Sequence, residues 1–226
     1  MYVMRFLVSW IGCLLAAGMA CADNYPRQPS VDVTHYSLAL ELGDASDSIS
    51  ATAKIHVRVR GEAASGMRLD FAGMRVSSLK VQGRPQPYAL GGDGLKFGFG
   101  RTFKRGESLV VEVRYHGRPR HGLGIGRNRY GKRIIFSENW PDRAHYWFPC
   151  IDHPSDKATV EVTVTAPDRY TVVSNGGRTL ERRLRGKRTR TRWIETKEIP
   201  VYCIAIGVAE FSVARGRSAG GVPLEW

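Results

Sequence analysis

Helical periodicity is the first thing this chain lacks. Beyond residue 22, no window of eleven residues repeats its apolar side chains every 3.6 positions, which sets aside helical bundles and βαβ units. Cysteine is nearly absent as well. Of four in 226 residues, Cys13 and Cys21 fall in the leader, leaving Cys150 and Cys203, and neither belongs to a zinc-ligand spacing. Long apolar runs are limited to Phe6–Ala20, fifteen residues, against the roughly 20 that a membrane-spanning helix needs. Acidic residues are few: 21 Asp and Glu face 34 Lys and Arg, a formal charge of +13. Such a charge bears on solubility and association rather than on fold.

The apolar run carries one charge before it, Arg5, and ends in Ala20-Cys21-Ala22. That pattern predicts a secretory signal peptide over residues 1–22, cleaved after Ala22. Acylation at Cys21 is the alternative, disfavoured because Gly18 stands where lipoprotein signals carry Leu or a similar residue. The expected location is therefore periplasmic or secreted. Export would place Cys150 and Cys203 where a disulfide could form, although two small hydrophobes within β-structure is the plainer reading. For an exported chain of this charge, anionic envelope lipid is a more natural partner than nucleic acid. Residues 23–226 are long enough for one substantial core and are expected to form a single domain.

What is present is alternation. Ile49, Ala51, Ala53, Ile55, Val57 and Val59 fall on one side, and Ser50, Thr52, Lys54, His56, Arg58 and Arg60 on the other, as in a half-buried strand. Further strands are predicted at Val33–Leu42, Met67–Phe71, Val76–Val81, Leu95–Phe99, Leu109–Tyr115, Ile134–Phe136, Ala158–Thr165, Tyr170–Ser174 and Tyr202–Val213. Gly117–Gly131 reads as a long loop or irregular hairpin, and Arg178–Thr196 as a hairpin. Strands separated by Gly/Pro turns predict an all-β fold, an antiparallel sandwich or saddle-like assembly of sheets.

Composition is least ordinary between Trp140 and Lys157, where four aromatics, three prolines, three aspartates and two histidines share eighteen residues. The prolines brace an extended connection, and Asp152 and Asp156 suit Asx turns that accept nearby backbone N–H groups. Phe148-Pro149-Cys150-x-Asp152-x-Pro154-x-x-Lys157, followed by a strand, resembles the signature in the N-terminal domain of aminopeptidase N-type zinc aminopeptidases, peptidase family M1. Val33-x-His35-Tyr36-x-Leu38 is similar to that domain's first strand. Val172-x-Ser174-Asn175-Gly176 is similar to its V-x-S-N-G turn, and Ile204–Phe211 to its last core strand.

The resemblance implies a domain without catalytic residues of its own. The family's zinc site needs H-E-x-x-H, and none of His35, His56, His116, His121, His145 and His153 opens one; G-x-M-E-N is also missing. Zinc is thus expected only in a catalytic domain outside this chain, with no cofactor here. In the family this β-domain lends one group to the active site, a Gln or Glu in a Q-x-Q/E run that grips the substrate's α-ammonium. Family spacing puts that pair at Glu138 and Trp140, so a substrate-binding role falls to Glu138. Trp140 departs from the polar residue expected there.

Other patterns carry less. Gly216-x-Ser218-x-Gly220 has no histidine after it to complete a nucleophile elbow, and Gly122-x-Gly124-x-Gly126 misses the dinucleotide-binding spacing. Arg182–Arg192 holds seven basic residues in eleven, an exposed hairpin tip or a contact for anionic lipid. The sequence therefore predicts the N-terminal β-domain of a truncated or split exported aminopeptidase, whose partners are a zinc catalytic domain and a peptide. The alternative is a stand-alone envelope-binding module using the aromatic loop or the basic hairpin.

Overall fold

The computed structural model describes residues 23–225; the predicted leader, with Cys21, lies outside the described residues. Strands β1 (Val31–Glu41), β2 (Ile49–Val59), β3 (Ala63–Asp70), β4 (Arg75–Val81), β5 (Arg84–Pro85) and β6 (Tyr88–Gly91) come first. β7 (Gly94–Lys104), β8 (Ser108–Gly117), β9 (Leu123–Arg127) and β10 (Arg133–Ser137) lead to the aromatic stretch. After it follow β11 (Lys157–Pro167), β12 (Thr171–Ser174), β13 (Gly177–Leu184), β14 (Arg188–Pro200), β15 (Ile206–Ala209), β16 (Arg215–Arg217) and β17 (Pro223–Glu225).

The strands form open sheets, as the all-β reading predicts. The largest has the order β13-β14-β11-β1-β2-β8-β4-β5; beside it lie β12-β15-β10-β9, β3-β7-β6 and the small hairpin β16-β17. The alternation in β2 is real: every odd-numbered residue from Ile49 to Val59 is buried, and the even-numbered ones face outward. In β1 the parity changes midway. Val31 and Val33 point inward, and a register shift between Val33 and His35 then turns Tyr36, Leu38 and Leu40 inward. One inserted residue in this bulge reconciles two faces that a straight strand could not bury together.

The fold departs from a purely antiparallel one at a single place in the large sheet. β1 pairs in parallel with β11, His35 opposite Thr159. A parallel pair needs a long crossover, and here the crossover is everything from β2 to the aromatic stretch. The predicted strand Tyr202–Val213 is also shorter than expected. A 3₁₀ turn occupies Val201–Cys203, and only Ile206–Ala209 is strand. The reason is Asn175, whose Oδ1 accepts the Ala205 N–H (2.6 Å) and whose Nδ2 donates to the Cys203 carbonyl (3.0 Å). Those backbone groups are then closed to a ladder. Gly117–Gly131 resolves into a hairpin arm, β9 pairing with β10.

One continuous apolar core runs beneath all three larger sheets. Trp147, Phe148 and Cys150 are wholly buried within it, so half of the predicted aromatic wall is core, while Trp140 is exposed and Tyr146 partly so. Cys150 and Cys203 are unpaired, the first buried and the second exposed.

Gly176, the last residue of the V-x-S-N-G turn, takes φ +78, and a Cβ there would lie 2.0 Å from the Ile194 carbonyl oxygen. Both the left-handed backbone and the close approach demand glycine. Gly176→Ala is expected to lower unfolding free energy by at least about 2 kcal/mol in urea titrations; a loss under about 0.5 kcal/mol would refute this account.

Candidate functional site

Glu138 follows β10 and sits on a pedestal built by its two neighbours. Ser137 Oγ accepts the Ile206 N–H (2.8 Å). Asn139 is 3 % exposed, and its amide is fully used: Nδ2 donates to the carbonyls of Ile204 (2.7 Å) and Val201 (3.4 Å), while Oδ1 accepts Trp147 Nε1–H (2.8 Å). The Glu138 N–H donates to the Gly122 carbonyl (2.8 Å). Gly122 has φ +73, and a Cβ there would stand 2.0 Å from the Arg143 carbonyl oxygen, so glycine is needed for this approach as well. With both neighbours turned inward, Glu138 must project outward. Its side chain is half exposed and ion-paired to Arg143.

Extended chain places alternate residues on one side, so Phe136 and Trp140 flank Glu138. Both are exposed, Phe136 at 48 % and Trp140 at 63 %. The Trp140 ring meets Tyr202 edge-on at 5.2 Å. Phe136 lies opposite Gly124 and Gly207, and its ring covers Gly124, where a Cβ would come within 3.0 Å. Val173 and Phe211, also exposed, border Gly207. The outer side of β12-β15-β10-β9 is thus an apolar face with one carboxylate at its end.

The F-P-C-x-D segment holds that end in place. Cys150 bridges to Asp70 at the end of β3, the two residues exchanging N–H···O bonds of 2.7 and 3.1 Å. Asp70 Oδ2 accepts the Asp152 N–H (2.9 Å) and the Tyr25 hydroxyl, and its Oδ1 accepts Arg68. Tyr36, from the first-strand motif, receives the Ile151 N–H on its hydroxyl (3.0 Å). Asp152 does not make the predicted local turn. Its Oδ2 reaches back to the N–H (3.1 Å) and Nδ1 (2.7 Å) of His145. Burial opposes a charge on His145, but the Asp152 bond and the charges of Asp152 and Asp70 outweigh it and raise the imidazole pKa. Asp156 likewise binds a distant group, the Val33 N–H (3.4 Å), with its other oxygen buried and unpartnered. Burial pushes its carboxyl up to about 7. His153 stacks on Tyr25 at 4.7 Å and contacts Asp23.

Sequence reasoning singled out Glu138 as a candidate and did not single out Asn139 and Asp70, which set its position in the structure. Neither sits in a catalytic pattern; the only signal was a polar residue at the end of an apolar strand. Three clefts of about 280, 260 and 320 Å³ lie elsewhere, by the N-terminal segment and on the outer face of the large sheet. Among the described residues no group of three His, Cys, Asp or Glu is placed to hold a metal.

Open β-sheets around one core, with a carboxylate at the rim of an apolar face, define an all-β domain. Residues 32–203 match the Peptidase M1 N-terminal domain, and the chain belongs to that family. It is 24 % identical to human glutamyl aminopeptidase, the match covering 89 % of this chain and 23 % of that enzyme. Leukotriene A-4 hydrolase of Xenopus laevis is 23 % identical, with 92 % and 36 % covered. The M1 zinc metallopeptidase of Deinococcus radiodurans superposes with a TM-score of 0.75 at 24 % identity, over 88 % of this chain and 47 % of that one. A variant of that enzyme bound to a Tyr-Ser-Ala substrate gives 0.76 at 25 %. The chain therefore spans about a quarter to a half of the length of these relatives.

Asn139→Ala strips a partner from buried Trp147 Nε1–H and from two carbonyls. It is expected to cost about 2–4 kcal/mol of stability by denaturant unfolding, and a cost below about 1 kcal/mol would refute the pedestal. Asp156, with its folded pKa raised, binds its proton more tightly folded than unfolded. Its contribution is complete below the ordinary carboxylate range and is lost as pH rises through about 7. His145 adds a slope of the same sign. Asp156→Asn should therefore raise the Tm at pH 8 and flatten, without abolishing, the fall in Tm from pH 5.5 to 8. A variant no more stable than the parent at pH 8 would contradict it.

Proposed function

We propose that this chain is the N-terminal β-domain of an exported M1-type aminopeptidase. It docks the outer face of β12-β15-β10-β9 on a zinc catalytic domain and offers Glu138 to the amino end of a peptide. The observation that carries the reading is the placement of Glu138, an outward carboxylate on a rigid strand end at the rim of exposed Phe136, Val173 and Phe211. An apolar patch with a polar rim is the anatomy of an interface. The matched relatives are about two to four times longer than the aligned region, and one related structure is bound to a Tyr-Ser-Ala substrate. Both support a partner of that kind.

The chemistry at the amino end is simple. A peptide's α-ammonium needs an anionic acceptor, and Glu138 supplies it once Arg143, itself half exposed, swings aside. A bidentate or paired carboxylate contact is stronger than a neutral one. Trp140 stands where the family carries a polar group, and its indole face can attract the same ammonium by cation–π interaction. Water activation at zinc belongs to the catalytic domain; this chain orients the substrate and helps exclude solvent. In that role its side of the site sets KM more than kcat.

The purified chain with zinc alone should leave aminoacyl-arylamides intact. Joined to an M1 catalytic domain deprived of its own N-terminal domain, it should restore hydrolysis. Glu138→Gln should then raise KM about ten-fold or more, as expected for a lost charged contact, with kcat changed less. Phe136→Asp should abolish association in size-exclusion chromatography. Turnover by the chain alone, or a joined enzyme indifferent to Glu138, would defeat the proposal.

A further inference from the structure

The hairpin formed by β13 and β14 concentrates the protein's charge. Between residues 178 and 192 stand eight basic residues and one acid, Glu181, and Glu181 is taken by Arg178 (2.7 Å). Arg182, Arg183, Arg185 and Lys187 are exposed and have no acidic partner among the described residues. On the outward side Arg182 lies directly opposite Arg190, and Arg188 and Arg192 flank Arg190 along its strand. Arg190 Nε has only the Thr165 hydroxyl (3.3 Å). Arg188 is paired with Glu41 (2.8 Å) and Arg192 stands 4.0 Å from Glu161. Like charges opposite one another across a ladder are nevertheless destabilising, and the four exposed cations at and beside the tip have no such offset.

Protection of a free sheet edge does not account for it. β13 is the edge strand and a few charges there would discourage strand addition. Yet five of the eight cations, Arg185, Lys187, Arg188, Arg190 and Arg192, lie at the tip or on β14, which is paired on both sides. A protein partner would need apolar anchors, and none of the exposed large apolar side chains among the described residues falls between 177 and 200. Base stacking on single-stranded nucleic acid needs exposed aromatics; Trp193 is partly buried, its Nε1–H given to the Val172 carbonyl (3.2 Å). What remains is a dense field of phosphates met from several directions, because the cations point to both faces and beyond the tip.

We infer that this hairpin is an adhesion site for an anionic phospholipid surface, its arginines forking onto headgroup phosphates. The geometry leaves the Glu138 face usable. The tip is at the Arg188 end of β14, whereas Asn139, beside Glu138, is bonded to Val201 and Ile204, just past the Pro200 end. The inference does not depend on the peptide-binding role of Glu138 and fails separately from it.

The test is sedimentation of the purified chain with phosphatidylcholine vesicles, with and without phosphatidylglycerol, at low and high salt. Binding should require phosphatidylglycerol and fall steeply as salt shortens the screening length. Each cation near such a surface strengthens binding about five-fold. Replacing Arg182→Gln, Arg183→Gln, Arg185→Gln and Lys187→Asn together should therefore weaken partitioning at least about ten-fold, with an unchanged circular dichroism spectrum. A control removing the same charge elsewhere, Arg58→Gln, Arg84→Gln, Lys96→Gln and Arg105→Gln, should stay within about two-fold of the parent. Should the four-fold variant misfold, the tip pair Arg185→Gln and Lys187→Asn alone should still lose about five-fold or more. Equal loss in the control, no binding to anionic vesicles, or tighter binding to duplex DNA than to vesicles at the same salt would overturn the inference.

Discussion

Two buried carboxylates hold the aromatic segment to the rest of the protein. Asp70 is 8 % exposed and Asp152 7 %, and burying a carboxylate is costly unless its oxygens are satisfied. Here each has partners: Asp70 takes Tyr25, Arg68 and the Asp152 N–H, and Asp152 takes the main chain and ring of His145. The link from Asp70 to Asp152 to His145 joins the end of β3 to both arms of the segment. Trp147 is thereby fixed in the core, and Asn139, which bonds its indole, is fixed in turn. The outward stance of Glu138 is the last step in that sequence. Removing either carboxylate leaves several donors unpaired in the interior, a heavier loss than one bond.

The family signatures acquire physical meaning on this view. Tyr36 of the first-strand motif is a buried hydroxyl receiving the Ile151 N–H. Cys150 is a buried small residue whose backbone, not its thiol, does the joining, and burial pushes that thiol up, away from reactivity. Asn175 clamps residues 203–205. These positions connect sheets.

Much of this was legible in the residues, for identifiable reasons. β2 could be read because a half-buried strand writes period two directly into its sequence. The parallel pairing of β1 with β11 could not, since pairing partners 124 positions apart (159 less 35) leave no local trace. Residues 202–205 read as strand because their side chains suit one, but a distant asparagine had taken their backbone. Glu138 was singled out by family spacing alone, whereas Asn139 and Asp70 look like ordinary strand-end polar residues until their burial is known. The aspartates of the aromatic segment were expected to turn locally; low solvent access gave longer bonds the advantage.

The place of β1 between β2 and β11 also sets the order in which the molecule can be assembled. β1 is made first, near residue 31, and its parallel neighbour only after residue 157. Until then half of the large sheet has an open side, with Tyr36, Leu38 and Leu40 awaiting cover. Closing a loop of that size carries its entropy cost before any contact is returned, and folds dominated by distant pairings form slowly. The central strand therefore gains its second neighbour only once residues 157–167 are available, and the large sheet cannot close before then.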